Sequence, residues 1–454
     1  MGSLVTTLRE RTELETIARL ALPIALAQFG ITLLGLIDVA VLGQLSAAEL
    51  GGGSIGRSIA FVSLALGSGV GAALEPLAAQ AIGANEPDVA WRAFVSTMVA
   101  CTLVMVPCCA LAIASTWLLV PLGIDPLLIP PCRAYVIANT PGVVLFVLFV
   151  AGKCFLQAHK RTWPALLATV LANVLNILAC NALVRGEIPL GPFGRIALGT
   201  PSLGALGAGL AFTLSSAVLA GVVLVAILPM RPRAPVAVSS HLSVAKVLRL
   251  GTPVGFSFLA EIGVFSVVAV VSGRLGAVAV SAHHVVLGLS TFTFMGALGV
   301  SGATAVRVGH AVGEGQSPRR AGLLGIAVGA GYMAFCSAWF LLWPRPLVQL
   351  FTNEPAIVEL GVRLLGIAAA FQVFDGVQAV ASGALRGAGD TNFSFVANVG
   401  AHWLIGFPLA LFLAFGLHLG APGLWWGLLT GLAVVSVLLL WRFLRISRRV
   451  ITRV

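Results

Sequence analysis

The chain has 454 residues, of which 59% are hydrophobic and only 9% charged, against roughly 25% charged in soluble domains. With a mean hydropathy of +1.03 it has too little polar surface to clothe a soluble protein, and its long apolar runs exclude a β-barrel built from alternations of ~10 residues. The net charge of +11 does not point to nucleic acid, because Lys and Arg fall in short segments between apolar runs, as in cytoplasmic loops.

Residues 1–13 are polar, and the first apolar run is too long for a signal-peptide core. Twelve apolar segments are expected, at 15–43, 52–81, 91–117, 127–158, 163–184, 203–229, 248–273, 277–307, 320–343, 355–386, 392–418 and 420–443. The first carries Pro23, Gln28 and Asp38, and the second carries Arg57 and Glu75. Lys153 lies on the fourth, and Asn173 and Asn176 share a face of the fifth. A basic, Pro-rich separator at 231–247 then splits the chain into an N-lobe, 1–230, and a C-lobe, 248–454.

The seventh segment holds Pro253 and Glu261, with Arg249 twelve residues before the carboxylate and Arg274 thirteen after it. At ~1.5 Å per residue, Glu261 sits ~18 Å from each basic end, near the bilayer midplane. An ionisable group there is costly unless it faces a polar cavity, which makes it a functional candidate. Asp375, on the tenth segment, lies at the same depth, twelve residues after Arg363 and eleven before Arg386. Two midplane carboxylates in one bundle can share a proton or hold a cation, and the sequence leaves H⁺ and Na⁺ both open.

Asp38 is a third acid inside the membrane, and an ion pair with Arg57 is its alternative reading. Glu75 and Lys153 lie at similar depth and are expected to form a structural or gating pair. Phe265 and Phe371 lie near the acidic positions in sequence. With Gln28, Asn176 and Gln378 they form a candidate cavity for lipophilic cations. Pro23 and Pro253 would let their helices bend beside Asp38 and Glu261. His283 and His284 carry no metal spacing, and all seven cysteines read as small core residues. No GxxxxGK[ST] is present, so no nucleotide cofactor is expected, nor any metal centre or enzymatic activity.

Nineteen Lys and Arg fall on one side of this layout and six on the other, an asymmetry that places both termini in the cytoplasm and the chain in an inner membrane. The halves also repeat. A shift of 230 residues lays Pro23 on Pro253, Gly43 on Gly273, Gly69 on Gly299 and Gly83 on Gly313. Six segments per repeat give both halves the same topology, related by a pseudo-two-fold along the membrane normal. The fold class expected is therefore an all-α polytopic membrane protein of two six-helix bundles.

Three stretches carry a family resemblance: LIDVAVLGQLSAAELGGGSI with GAALEPLAAQAIGAN, FLAEIGVFSVVAVVSGRLGAVAVSAHHVVL with RVGHAVGEG, and FDGVQAVASGALRGAGDTNFSFVANV. The chain resembles the multidrug and toxic compound extrusion (MATE) transporters, most of all their NorM-like bacterial branch. The resemblance implies a V-shaped pair of lobes that exports cationic amphiphilic compounds and drugs by alternating access, as a monomer, in exchange for H⁺ or Na⁺. It implies an ion site at Glu261 and Asp375 and a first-lobe acid at Asp38. In sodium-coupled members it places an aromatic hydroxyl where this chain has Phe371. A lipid-linked precursor flippase of the wider superfamily is the second expectation, kept open by Arg57 and Lys153.

Overall fold

The structure is a computed structural model that describes the backbone of residues 2–189, 195–197, 201–232 and 243–454, and side chains within 13–187, 201–232 and 243–454. Much of the expected linker at 231–247 thus lies outside the described residues, as do the side chains of Arg9, Arg11, Arg195 and Arg233.

Long Leu-, Val- and Ala-rich runs satisfy their backbone groups internally, as lipid demands, by forming helices. They are α1 (Gly2–Leu42), α2 (Ala47–Ala72), α3 (Leu74–Gly83), α4 (Pro87–Ser115), α5 (Ile129–Ala158), α6 (Trp163–Arg185) and α7 (Gly204–Ile227). After these come α8 (Val244–Ser272), α9 (Ala277–Gly313), α10 (Arg319–Leu342), the short α11 (Pro344–Gln349) and α12 (Pro355–Gly387). The next span is broken into α13 (Thr391–Val399), a π-helical stretch at Gly400–Gly406, α14 (Phe407–Leu411) and a second π stretch at Phe412–Gly416. The last helix is α15 (Ala421–Ile446). Two three-residue strands, β1 (Glu187–Pro189) and β2 (Arg195–Ala197), pair antiparallel between α6 and α7.

Among the described residues twelve spans are long and apolar enough to cross a membrane, which matches the expected twelve segments. The second span joins α2 and α3 through Ala73, and the eleventh runs through both π stretches. Leu22, Val106, Val225, Val270 and Leu404 point outward, as lipid-facing side chains do.

Local chemistry sets several helix ends. Ser46 caps α2 by accepting from the Glu49 amide at 3.1 Å. The Glu49 carboxylate meets the start of α7, accepting from the Ala205 amide at 2.6 Å, where the helix dipole favours an anion. Gly186, at a φ of 74°, ends α6 in the left-handed conformation.

The chain falls into two compact units. One gathers Met1–Leu26, Glu75–Glu86 and Phe256–Val454, and the other gathers Ala27–Leu74 and Pro87–Gly255. We call them the C-rich and N-rich units. Each sequence half therefore lends pieces to both. In α1 the boundary falls three residues after Pro23, and in α8 two residues after Pro253.

The core of the C-rich unit is built by α12 against α9, α10 and α15 around Phe371, Trp425 and Phe443. In the N-rich unit α5 packs on α2 and α7, and α6 on α7.

The 230-residue repeat appears as matched close approaches. Inside the N-rich unit, a Cβ built on Gly69 would overlap the Gly255 backbone. Inside the C-rich unit, one built on Gly299 would lie 2.6 Å from the Cβ of Ala25. Positions 25 and 255 are themselves repeat-related. The same holds where α3 meets the end of α9: Gly83 faces the His310 backbone and Gly313 faces the Gln80 carbonyl, each too close for a side chain.

Candidate functional site

The C-rich unit assembles a polar cluster around Glu261. Residues 256–272 of α8 carry Glu261, and α12 carries Asp375 and Gln378 one turn apart. The Gln378 amide donates to the Glu261 carboxylate and to the Asn398 carbonyl oxygen, both at 3.4 Å. Asn398, on α13, is tied to its own helix by a 2.9 Å bond to the Ser394 carbonyl. Asp375 is 6% exposed, and Glu261 lies within electrostatic reach of it. Ser436 of α15 donates to the carbonyl of the neighbouring Phe374 at 2.8 Å, fixing the backbone beside Asp375.

An aromatic wall adjoins these groups. Phe265, one turn past Glu261, meets Phe371 edge-on with ring centroids 5.9 Å apart, and Phe371 meets Trp425 at the same distance. The structure therefore brings together Glu261, Asp375, Phe265, Phe371 and Gln378. It adds Asn398 and Trp425, which sit 20 residues or more away along the chain and could be linked to the acids only through space.

Asp38 lies in the N-rich unit, 2% exposed. It accepts from the Asn176 amide at 3.3 Å and also bonds to Cys180. Arg57 donates to the Gly35 carbonyl, almost one turn before Asp38, and its charge acts on that carboxylate. A Cβ on Gly35 would lie 3.0 Å from the guanidinium, so the small residue makes room for it. Tyr135 and Asn139 of α5 are buried nearby. The sequence reading did not select either one. Gln28 and Asn176 thus belong to this unit and not to the Glu261 cluster: Gln28 accepts from Lys153 at 3.1 Å, and Asn176 donates to Asp38.

One expectation is corrected. Glu75 was assigned Lys153 as its partner, but it pairs with Arg386, whose Nε lies 2.5 Å from the carboxylate. Glu75 heads α3 and Arg386 ends α12, and both belong to the C-rich unit. Lys153 instead donates to Gln28 and lies over the Phe149 ring at 5.9 Å. Matched depth identified Lys153, but Arg386 lies at the same inner level and sequence could not choose between them.

His283 is buried against Trp425. Among the described residues no group of three or more His, Cys, Asp and Glu could hold a metal ion.

Comparison with known proteins decides the family. The MatE family model matches twice, over residues 23–181 and 253–412, so its two copies begin at the repeat-related prolines. The chain belongs to the MATE family. A Rhodopseudomonas palustris relative, "Probable multidrug resistance protein NorM", is 33% identical over 96% of this chain and 93% of its own length. "Multidrug resistance protein NorM" of Burkholderia vietnamiensis is 32% identical over 94% and 92%. These MATE relatives are named as resistance proteins, not as enzymes. Among solved structures, the eukaryotic MATE transporter AtDTX14 superposes with a TM-score of 0.82 at 22% identity, covering 97% of this chain and 99% of that one. A MATE crystallised in the bent conformation gives 0.84 at 22% identity over 95% of each. The MATE fold is shared across this range.

Proposed function

We propose that this MATE protein is a secondary active multidrug efflux antiporter of a bacterial inner membrane. It exports cationic amphiphilic compounds in exchange for H⁺ or Na⁺, with both termini in the cytoplasm. The names of its relatives support the efflux reading. The observation that carries the ion site is the juxtaposition of Glu261 on α8 and Asp375 on α12, within electrostatic reach of each other, with Gln378 of α12 donating to Glu261.

Two anions within electrostatic reach of each other inside the membrane repel, and the interaction is strengthened by a low effective dielectric constant. Uptake of one cation removes that repulsion and lets the helices carrying them draw together. Phe265, half-buried next to the pair, gives a lipophilic cation a π-face to rest on, and Phe371 backs it from the core. An ion taken up by the pair halves the negative charge that attracts the drug. By linkage, the drug must weaken ion binding to the same degree. Asp38 is assigned as the first-lobe acid, a second cation-responsive group held by Asn176. The flippase reading loses weight because Arg57 bonds Gly35 and Lys153 bonds Gln28, so neither basic group stands ready for a pyrophosphate.

The test is uptake of a fluorescent organic cation into inside-out vesicles, driven by a pH or a Na⁺ gradient, for wild type, Glu261→Gln and Asp375→Asn. Each variant is expected to lose gradient-driven uptake while keeping its fold. Undiminished uptake in both would remove the ion-site assignment, and the gradient that works identifies the coupling ion.

A further inference from the structure

His402 sits at the heart of the π-helical stretch Gly400–Gly406. A π segment inserts an extra residue into a helical turn and recurs at functional sites, because it re-aims side chains that a regular helix would point elsewhere. Here it turns His402 inward. The residue is 1% exposed, and neither ring nitrogen has a hydrogen-bond partner among the described residues. An imidazole always carries at least one N–H, and in its neutral form one lone pair as well. Buried groups of this kind are satisfied by ordered water or by ligand.

The contacts around the ring place it beside the Glu261 cluster. Its centroid lies 6.4 Å from that of Phe265, one turn past Glu261 on α8. The neighbouring Trp403 donates from its indole to the carbonyl of Ala260, the residue next to Glu261, at 2.9 Å. About one turn earlier on the same span, Asn398 accepts from the Gln378 amide that also reaches Glu261. The Gln378 carbonyl oxygen, buried in the same cluster, is likewise without a partner among the described residues. On the other side α15 presents Gly431, where a Cβ would lie 3.1 Å from the Ala401 carbonyl and from Gly406 and 3.4 Å from Nδ1, so the glycine lets α15 pack closely against the π stretch beside the ring.

We propose that His402 is a positioning residue of the Glu261–Asp375 site, joined through a bound water to the Asn398–Gln378–Glu261 chain of hydrogen bonds. The π stretch is the device that aims it, and Trp403 anchors that stretch to α8 beside the carboxylate. The water gives the incoming ion a ready-made ligand and holds Gln378 in the rotamer that orients Glu261. This role rests on the antiport reading, because it assigns His402 to the coupling ion rather than to the transported compound.

The experiment compares wild type with His402→Phe, which keeps the ring shape without hydrogen bonds, and His402→Gln, which restores a donor and an acceptor. Transport is measured in proteoliposomes against coupling-ion concentration, with thermal melting as the control for folding. Loss of roughly one net hydrogen bond predicts that His402→Phe needs about tenfold more ion for half-maximal transport. Its maximal rate should change little, and His402→Gln should recover most of the shift.

A second measurement needs no transport. Infrared spectra at fixed pH isolate the Glu261 and Asp375 carboxyl bands by difference against Glu261→Gln and Asp375→Asn. His402→Phe should displace the Glu261 band. Overlapping carboxyl bands in folded wild type and His402→Phe would overturn the proposal whatever the transport result, as would a fall in maximal rate with no change in ion dependence. A displaced band in a protein that transports nothing under either gradient would keep His402 at the site and sink the antiport reading instead.

Discussion

The Glu75–Arg386 pair offers the sharpest test of the architecture. Its side chains are only 4% and 15% exposed, and its members lie 311 residues apart in the chain. Removing one partner from a buried pair leaves an uncompensated charge and typically costs ~3–5 kcal/mol. Arg386 retains some access to solvent, which favours the lower end, about 3 kcal/mol. Glu75→Gln and Arg386→Gln should each destabilise by about that amount. The double variant should lose roughly 3–4 kcal/mol rather than the sum of the singles, a coupling of about 2–3 kcal/mol. Thermal melting of purified protein in detergent reads this directly: the double variant should melt close to the worse single variant. Two additive losses would refute the pair. So would coupling of Glu75→Gln with Lys153→Gln in place of Arg386→Gln, which would restore the partner read from depth alone.

Two further outcomes follow from local geometry. Gly313→Ala would drive a methyl into the Gln80 backbone of α3 and should cost about 1–3 kcal/mol. Gly366→Ala, whose added methyl meets nothing within 4 Å, should be stabilising by up to ~1 kcal/mol; equal melting temperatures for the two would contradict the close approach. Outside the membrane spans, burial beside Phe155 lowers the pKa of His159 from its usual 6.5. The folded state then resists the imidazolium, so stability should be level above pH 6.5 and fall as pH drops below it. His159→Gln should flatten that fall in a melting series, and parallel curves would count against it.

Much of the fold was legible because lipid imposes simple rules. Segment length marked the spans, and the 230-residue register marked the duplication that the family model matches in two copies. Counting residues from flanking arginines set Glu261 and Asp375 at one depth, and the structure brings them within electrostatic reach. Counting gives depth but not azimuth, so it could not tell which inner-level cation faces Glu75. Nor could it link Asn398 to Gln378. A helical period of 3.6 also assumes an unbroken helix, so it gave no sign that the span around His402 changes to a π turn. Tyr135 and Asn139 were missed near Asp38 because buried polar groups in an apolar run carry no periodic signature.

The exchange of helix ends beside Pro23 and Pro253 constrains how the molecule is made. Synthesis proceeds from the N-terminus, yet Glu13–Leu26 and Glu75–Glu86 belong with residues beyond Phe256. They must wait in the bilayer, with their close-packing faces uncovered, until the later half of the chain has been inserted. The N-rich unit is also incomplete until Val244–Gly255 emerges at the start of α8. Neither unit is complete from one half of the chain alone. Two separately translated halves would therefore have to find each other in the membrane to complete either unit.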